Sequence, residues 1–309
     1  MPAHGKVITA LLMTGCLAFS GCVTFREKPK VITSYFAAHK VEGTIATYQS
    51  GSRKMHYAQT GDTGKPLVVF VHGSPGSLSA FVPFLVDSSL LNEAQLISID
   101  RPGFGYSQYG QGERSLAAQA AVIRDLLVQK KADQPLILVG HSLGGPLVGR
   151  VAMDYPDLID GLVVVAGSID PDLEPNETWF RAPLATPFLR WILPGSLRAS
   201  NYELYHLKPE LEMMVPNWRF VRCPVVIIHG KRDNLVPFGN VAFAEKHLDP
   251  SSTKYITHDG ARHFIPWEQP EMITDGVLLL LDELKKRNQI GLEPMTAATD
   301  STELNETFR

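Results

Sequence analysis

Six short, mostly apolar runs recur along the chain at residues 67–71, 96–99, 136–139, 162–165, 225–228 and 254–257, most of them rich in Val and Ile. Continuous apolar runs of this length suit strands buried on both faces rather than strands with one wet face. Segments with helical periodicity separate them, at residues 79–90, 115–131, 143–154, 238–247 and 268–286. Repeated strand–helix alternation predicts an α/β architecture, a mostly parallel central sheet flanked by helices on both faces. Ahead of it, residues 43–49 and 54–60 alternate like a hairpin around Ser50-Gly51-Ser52.

One stretch breaks the rhythm. Residues 168–222 hold many prolines and three of the four tryptophans, with no run that would extend a sheet. An insertion after the sixth strand, near the strand ends where ligands bind in open sheets, predicts a helical cap over a site. The domain is thus expected over residues 43–288, with the cap at about 168–222. With 44% hydrophobic residues and a net charge of -3 among 309 residues, the composition is that of a globular protein with a full core. That balance carries no basic footprint for a phosphate backbone, so nucleic acid is excluded as a partner.

The first 22 residues read as an export signal. Lys6 precedes an apolar stretch over residues 7–19, too short to span a bilayer comfortably, which ends in Ser20-Gly21-Cys22. The last three residues resemble the lipobox of bacterial lipoproteins, although Phe19 stands where an aliphatic residue is usual. That resemblance implies lipidation at Cys22 and, with Val23 rather than Asp following, a tether to the outer membrane on its periplasmic side; a leader simply cleaved, or retained as an N-terminal anchor, is the alternative. Met13-Thr14-Gly15-Cys16 is a second, less well placed candidate. A polar linker is expected over 23–42 and a disordered tail over 289–309. Without the leader only Cys22 and Cys223 remain, so no disulfide framework is possible, and Cys223 reads as a small buried residue.

The chemistry concentrates where residues 136–139 run into Gly140-His141-Ser142-Leu143-Gly144 and then a helical segment. A glycine-flanked serine at a sharp strand-to-helix turn is a nucleophile elbow, in which side chains at Gly140 or Gly144 would clash. A hydroxyl needs a base to take its proton and a carboxylate to hold that base. His263 follows the last strand in a loop before a helix and is the candidate base, with His258 the near rival. Asp233, in the loop after residues 225–228, is the candidate acid, and Asp170 the alternative. His72, His141 and His229 sit at strand ends beside glycine or serine and read as turn or packing residues. An oxyanion requires preorganised N–H donors, assigned to the backbones of Leu143 and of Ser74 in His72-Gly73-Ser74-Pro75-Gly76. The histidines show no paired metal-ligand spacing, so neither metal nor cofactor is expected.

His72-Gly73-Ser74-Pro75-Gly76, Asp100-Arg101-Pro102-Gly103-Phe104-Gly105-Tyr106-Ser107, Gly140-His141-Ser142-Leu143-Gly144-Gly145, Gly230-Lys231-Arg232-Asp233 and His263-Phe264 occur in one order. With them the chain resembles an α/β-hydrolase of the capped, esterase-like branch, over about residues 43–286. The resemblance implies a serine hydrolase acting on a small-molecule ester, with Ser142 as nucleophile, Asp233 as acid, His263 as base, and Ser74 and Leu143 as oxyanion donors. It treats the segment from Asp100 to Ser107 as a structural turn. Haloalkane dehalogenases and epoxide hydrolases resemble the chain with Asp at the nucleophile position, where this chain has Ser142. Proline iminopeptidases share the loop around Pro75 and would need cap acids such as Glu174, Glu177 or Glu203 for a substrate ammonium. Carbon–carbon bond hydrolases and perhydrolases use the same triad, and a lipid-tethered binding protein would have lost it. Oligomeric state is not legible.

Overall fold

The computed structural model describes residues 24–290 except Ala132. Cys22, the leader and residues 291–309 of the expected tail lie outside the described residues.

Eight strands form one sheet: β1 (Gly43–Ser50), β2 (Arg53–Thr60), β3 (Leu67–Val71), β4 (Gln95–Ile99), β5 (Leu136–His141), β6 (Gly161–Val165), β7 (Val225–Gly230) and β8 (Thr253–His258). Their order is β1-β2-β4-β3-β5-β6-β7-β8. The β1–β2 and β2–β4 pairs are antiparallel, and every pair from β4 to β8 is parallel. The predicted alternation is therefore borne out, with β5 near the centre. Leu67, Val69 and Val71 enter one core while Val68 and Phe70 enter the other, the period-2 pattern of a strand buried on both faces.

Helices α1 (Pro29–Ala38), α2 (Ser88–Glu93), α3 (Leu116–Lys130), α4 (Gly144–Asp154), α5 (Thr178–Ala185), α6 (Gly195–Met214), α7 (Gly239–His247), α8 (Ile265–Glu268) and α9 (Pro270–Ile290) surround the sheet. On one face α3 and α4 contribute Leu116, Ile123, Leu127, Leu147 and Val151. On the other, α9 contributes Ile273, Val277, Leu280 and Leu284, spaced at helical turns. Between β6 and β7 lie α5, α6 and three short 3-10 turns, the insertion that the proline-rich stretch predicts. Among the described residues no helix is long and apolar enough to cross a membrane.

Two expectations change. The segment expected as a linker carries α1, which buries Ile32 and Phe36 to 2% and 1% exposure. These two stand one helical turn apart, but the helix has only ten residues and no side-chain cap at its start, which makes it a weak signal in the sequence. Phe36 lies against Gly43, where a Cβ would come 2.4 Å from its ring. Residues 79–90, expected as one helix, break into 3-10 turns at Leu78–Phe81 and Phe84–Val86 before α2 begins. Pro83 denies the segment an amide donor, and Asp87 starts a new helix by accepting from the amides of Ser89 and Leu90.

Candidate active site

Ser142 stands between β5 and α4 with φ +55°, a left-handed backbone rare for a residue other than glycine. Its amide donates to Val165 O on the neighbouring strand at 2.9 Å, so the sheet holds the strained residue in place. A Cβ on Gly140 would lie 2.2 Å from Gly144 O, and one on Gly144 would lie 2.4 Å from Val71 O. Both contacts are with backbone, which cannot swing away. Gly144→Ala is therefore expected to cost about 3 kcal/mol and to displace the serine, read as a lower thermal midpoint with lost turnover. Unchanged stability in that variant would contradict the packing of the turn.

The loops after β7 and β8 bring Asp233 and His263 together. His263 Nδ1 donates to Asp233 Oδ2 at 2.8 Å, while Asp233 Oδ1 accepts from the amides of Leu235 and Val236 at 2.9 and 2.8 Å. Burial raises the Asp233 carboxyl, but the hydrogen bond and charge of His263 and the two amides outweigh it, holding the group below the ordinary aspartate value. With Nδ1 spent on Asp233, Nε2 is the ring nitrogen left to exchange a proton. His263 and Ser142 line the same two cavities. Their side chains make no direct hydrogen bond among the described residues, a spacing that commonly tightens only with substrate.

Ser74 and Leu143 line the larger cavity together with this pair. Ser74 follows β3, and Leu143 opens α4, where the helix end adds partial positive charge. Neither amide donates to a protein acceptor among the described residues. The loop carrying Ser74 is held by Arg101, whose Nε donates to His72 O and whose Nη2 donates to Gly73 O, each at 2.9 Å. Arg101 is itself fully buried and forms a two-pronged ion pair with Glu203 of α6, at 2.7 and 2.9 Å. Gln119 of α3 accepts from the same guanidinium at 2.9 Å. The sequence presents Arg101 only as part of a turn. The available signal was a lone arginine placed directly after a buried strand, between Asp100 and Pro102.

The rival residues stand elsewhere. His258 is exposed and accepts from the amide of Gly260. Asp170 caps a 3-10 turn by accepting from Asp172 N. Cys223 is buried, and burial pushes its thiol up to about 12. Of the cap acids considered for a substrate ammonium, Glu203 is consumed by Arg101 and Glu177 pairs with Arg181. Glu174 faces the cavity and accepts from the Ser168 hydroxyl; burial raises its carboxyl above the ordinary glutamate value. No cluster of residues that could hold a metal occurs among the described residues.

His72, His141 and His229 are buried, and each gives a ring N–H to a backbone carbonyl: Gly73 O, His263 O and Val236 O. The bond from His141 fixes the backbone of His263. Burial lowers all three below the ordinary histidine value, His141 to about 3. Unfolded histidine takes up a proton near pH 6.5, so below that pH the unfolded chain binds more protons and stability falls with falling pH. Between pH 6.5 and 5, His141 alone is expected to cost the fold about 2 kcal/mol. Urea unfolding across that range checks it: His141→Asn should flatten the slope, and an unaltered slope would rule this origin out.

The larger cavity, about 1010 Å³, runs beneath the insertion, where Phe180, Leu184, Leu193 and Leu197 line it. A second, of about 790 Å³, shares Ser74, Ser142 and His263 with the first and is bounded by residues 24–27, Phe264 and Trp267. The pair of side chains thus sits where two chambers meet.

A family model described as the alpha/beta hydrolase fold matches residues 66–199. The solved membrane phospholipase A, called a bacterial virulence factor, superposes with a TM-score of 0.62 at 16% identity, over 91% of this chain and 97% of that one. The chain has the α/β-hydrolase fold. Another structure of this fold, the 2-hydroxy-6-oxo-6-phenylhexa-2,4-dienoate hydrolase from Rhodococcus sp. strain RHA1, gives a TM-score of 0.63 at 18% identity, covering 78% of this chain and 99% of that one. By sequence, Epoxide hydrolase 3 of Xenopus tropicalis is 27% identical over 213 residues, 66% of this chain and 52% of the relative. The chain spans about half the length of that relative. In this α/β-hydrolase fold the elbow, the two loops and the insertion occupy the strand ends where such sheets bind ligands.

Proposed function

We propose that this chain is a serine hydrolase that cleaves a small-molecule carboxylic ester through an acyl-enzyme. The observation that carries the reading is Ser142, strained at the end of β5 and sharing a cavity with a histidine whose far nitrogen is held by a buried aspartate. Ser142 Oγ attacks the ester carbonyl as His263 Nε2 takes its proton, and Asp233 keeps the ring oriented and offsets the imidazolium charge. The amides of Ser74 and Leu143 stabilise the oxyanion, each contributing about 3 kcal/mol in sites of this kind. His263 then protonates the leaving alcohol, and a water activated by the same ring releases the acid and frees Ser142.

Ser142 itself speaks against epoxide hydrolysis, the activity in the name of the frog relative. An aminopeptidase is less well supported because Glu203 and Glu177 already carry arginine partners, which leaves Glu174 and Glu212 on the cavity wall for a substrate ammonium. Export by the leader, with a lipid on Cys22 tethering the chain to the periplasmic side of an outer membrane, completes the proposal. p-Nitrophenyl esters of graded acyl length, assayed beside aminoacyl arylamides, decide among the reactions. Ester turnover should dominate, and arylamide turnover in excess would replace the esterase reading with a peptidase.

A further inference from the structure

We propose that the outward face of the insertion docks on a lipid surface, so that the mouth of the site opens against a bilayer. Trp179, Phe188 and Trp191 are 80%, 79% and 62% exposed, and Ile192 is also exposed. Four large apolar side chains are bared within fourteen residues of one segment, a concentration that marks an interaction surface rather than scattered exceptions. Arg190 is exposed on the same segment, whereas Arg181 is paired with Glu177 and Arg198 donates to Gly110 O, so the bared apolar side chains rather than charge carry the attraction to lipid. Helix α5 is the wall between the two environments, since Phe180 and Leu184 line the cavity while Trp179 points outward.

The strap at the chain's N-terminal side fixes which way this face looks. Thr24 O accepts from Ser196 Oγ at 2.7 Å, and the Glu27 amide donates to Ser79 Oγ at 2.9 Å. Between them the Arg26 guanidinium lies 4.5 and 4.2 Å from the ring centres of Tyr106 and Tyr109. Ser196 stands four residues after Ile192, so the strap ends beside the bared patch. Cys22 lies only two residues before Thr24, a reach of about 7 Å at full extension. The linker expected over 23–42 would have given slack; the strap and α1 remove it. A lipid on Cys22, which this step takes from the proposed function, therefore holds the bilayer against the patch and the second chamber. The substrate that suits the geometry is an amphiphilic ester drawn from the lipid phase into the cavity beneath α5.

The test uses the full chain reconstituted in phosphatidylglycerol–phosphatidylethanolamine vesicles carrying brominated acyl chains, with tryptophan emission as readout. Brominated lipid should quench the emission, and W179F/W191F should lose most of that quenching. Quenching by aqueous acrylamide without quenching by lipid would overturn the proposal. Protection of both tryptophans from both quenchers would overturn it too, in favour of a second copy covering the patch. Mass analysis of the N-terminal peptide separates the premises. Lipidated Cys22 with unquenched tryptophans refutes the docking alone, and ester turnover measured in the same vesicles reports on the hydrolase reading independently.

Discussion

Ser142→Ala is expected to lower ester turnover by about 10⁴-fold or more while leaving the fold intact. The side chain removed is small, and the strain at this position belongs to the backbone, so stability should change little or rise. His263→Ala should lower turnover by a similar factor, and the double variant should fall scarcely further, because the two side chains act as one unit. Steady-state rates on one p-nitrophenyl ester, read beside the thermal midpoints, check all three. Independent, multiplying losses would mean that Ser142 and His263 do not share one reaction step.

The second large effect concerns Arg101. Glu203→Leu leaves a fully buried guanidinium without its carboxylate partner, which is expected to cost about 3–5 kcal/mol, or a thermal midpoint lower by roughly 10 °C. Turnover should fall as well, because Arg101 also holds the carbonyls of His72 and Gly73 beneath the Ser74 amide. Removing both charges, in Arg101→Met with Glu203→Leu, should recover part of the stability but not the turnover, since the loop still lacks its donors. A double variant as unstable as Glu203→Leu would show that volume rather than uncompensated charge sets the cost.

Much of the fold was legible because burial on both faces leaves a plain mark. The runs that became β3, β5, β6 and β7 are apolar throughout, and the glycines flanking Ser142 announce a turn that tolerates no side chain. Such patterns are local. Arg101 and Glu203 were opaque because their meaning lies in a contact across 102 residues, and nothing beside Glu203 separates a buried partner from a solvated helix acid. The helix α1 escaped notice for a related reason: Ile32 and Phe36 fill a hole that exists only once β1 and β2 are in place. For the site, chain order placed Asp233 and His263 in loops, but the 2.8 Å between them is a property of β7 and β8 lying side by side in register.

Reaction of the full chain with a fluorophosphonate, followed by peptide mass analysis, tests the proposed chemistry most directly. The account predicts a single phosphonylated peptide with the adduct on Ser142, absent from Ser142→Ala and strongly slowed in His263→Ala. Folded protein that gives no adduct, or an adduct on another serine, would contradict it.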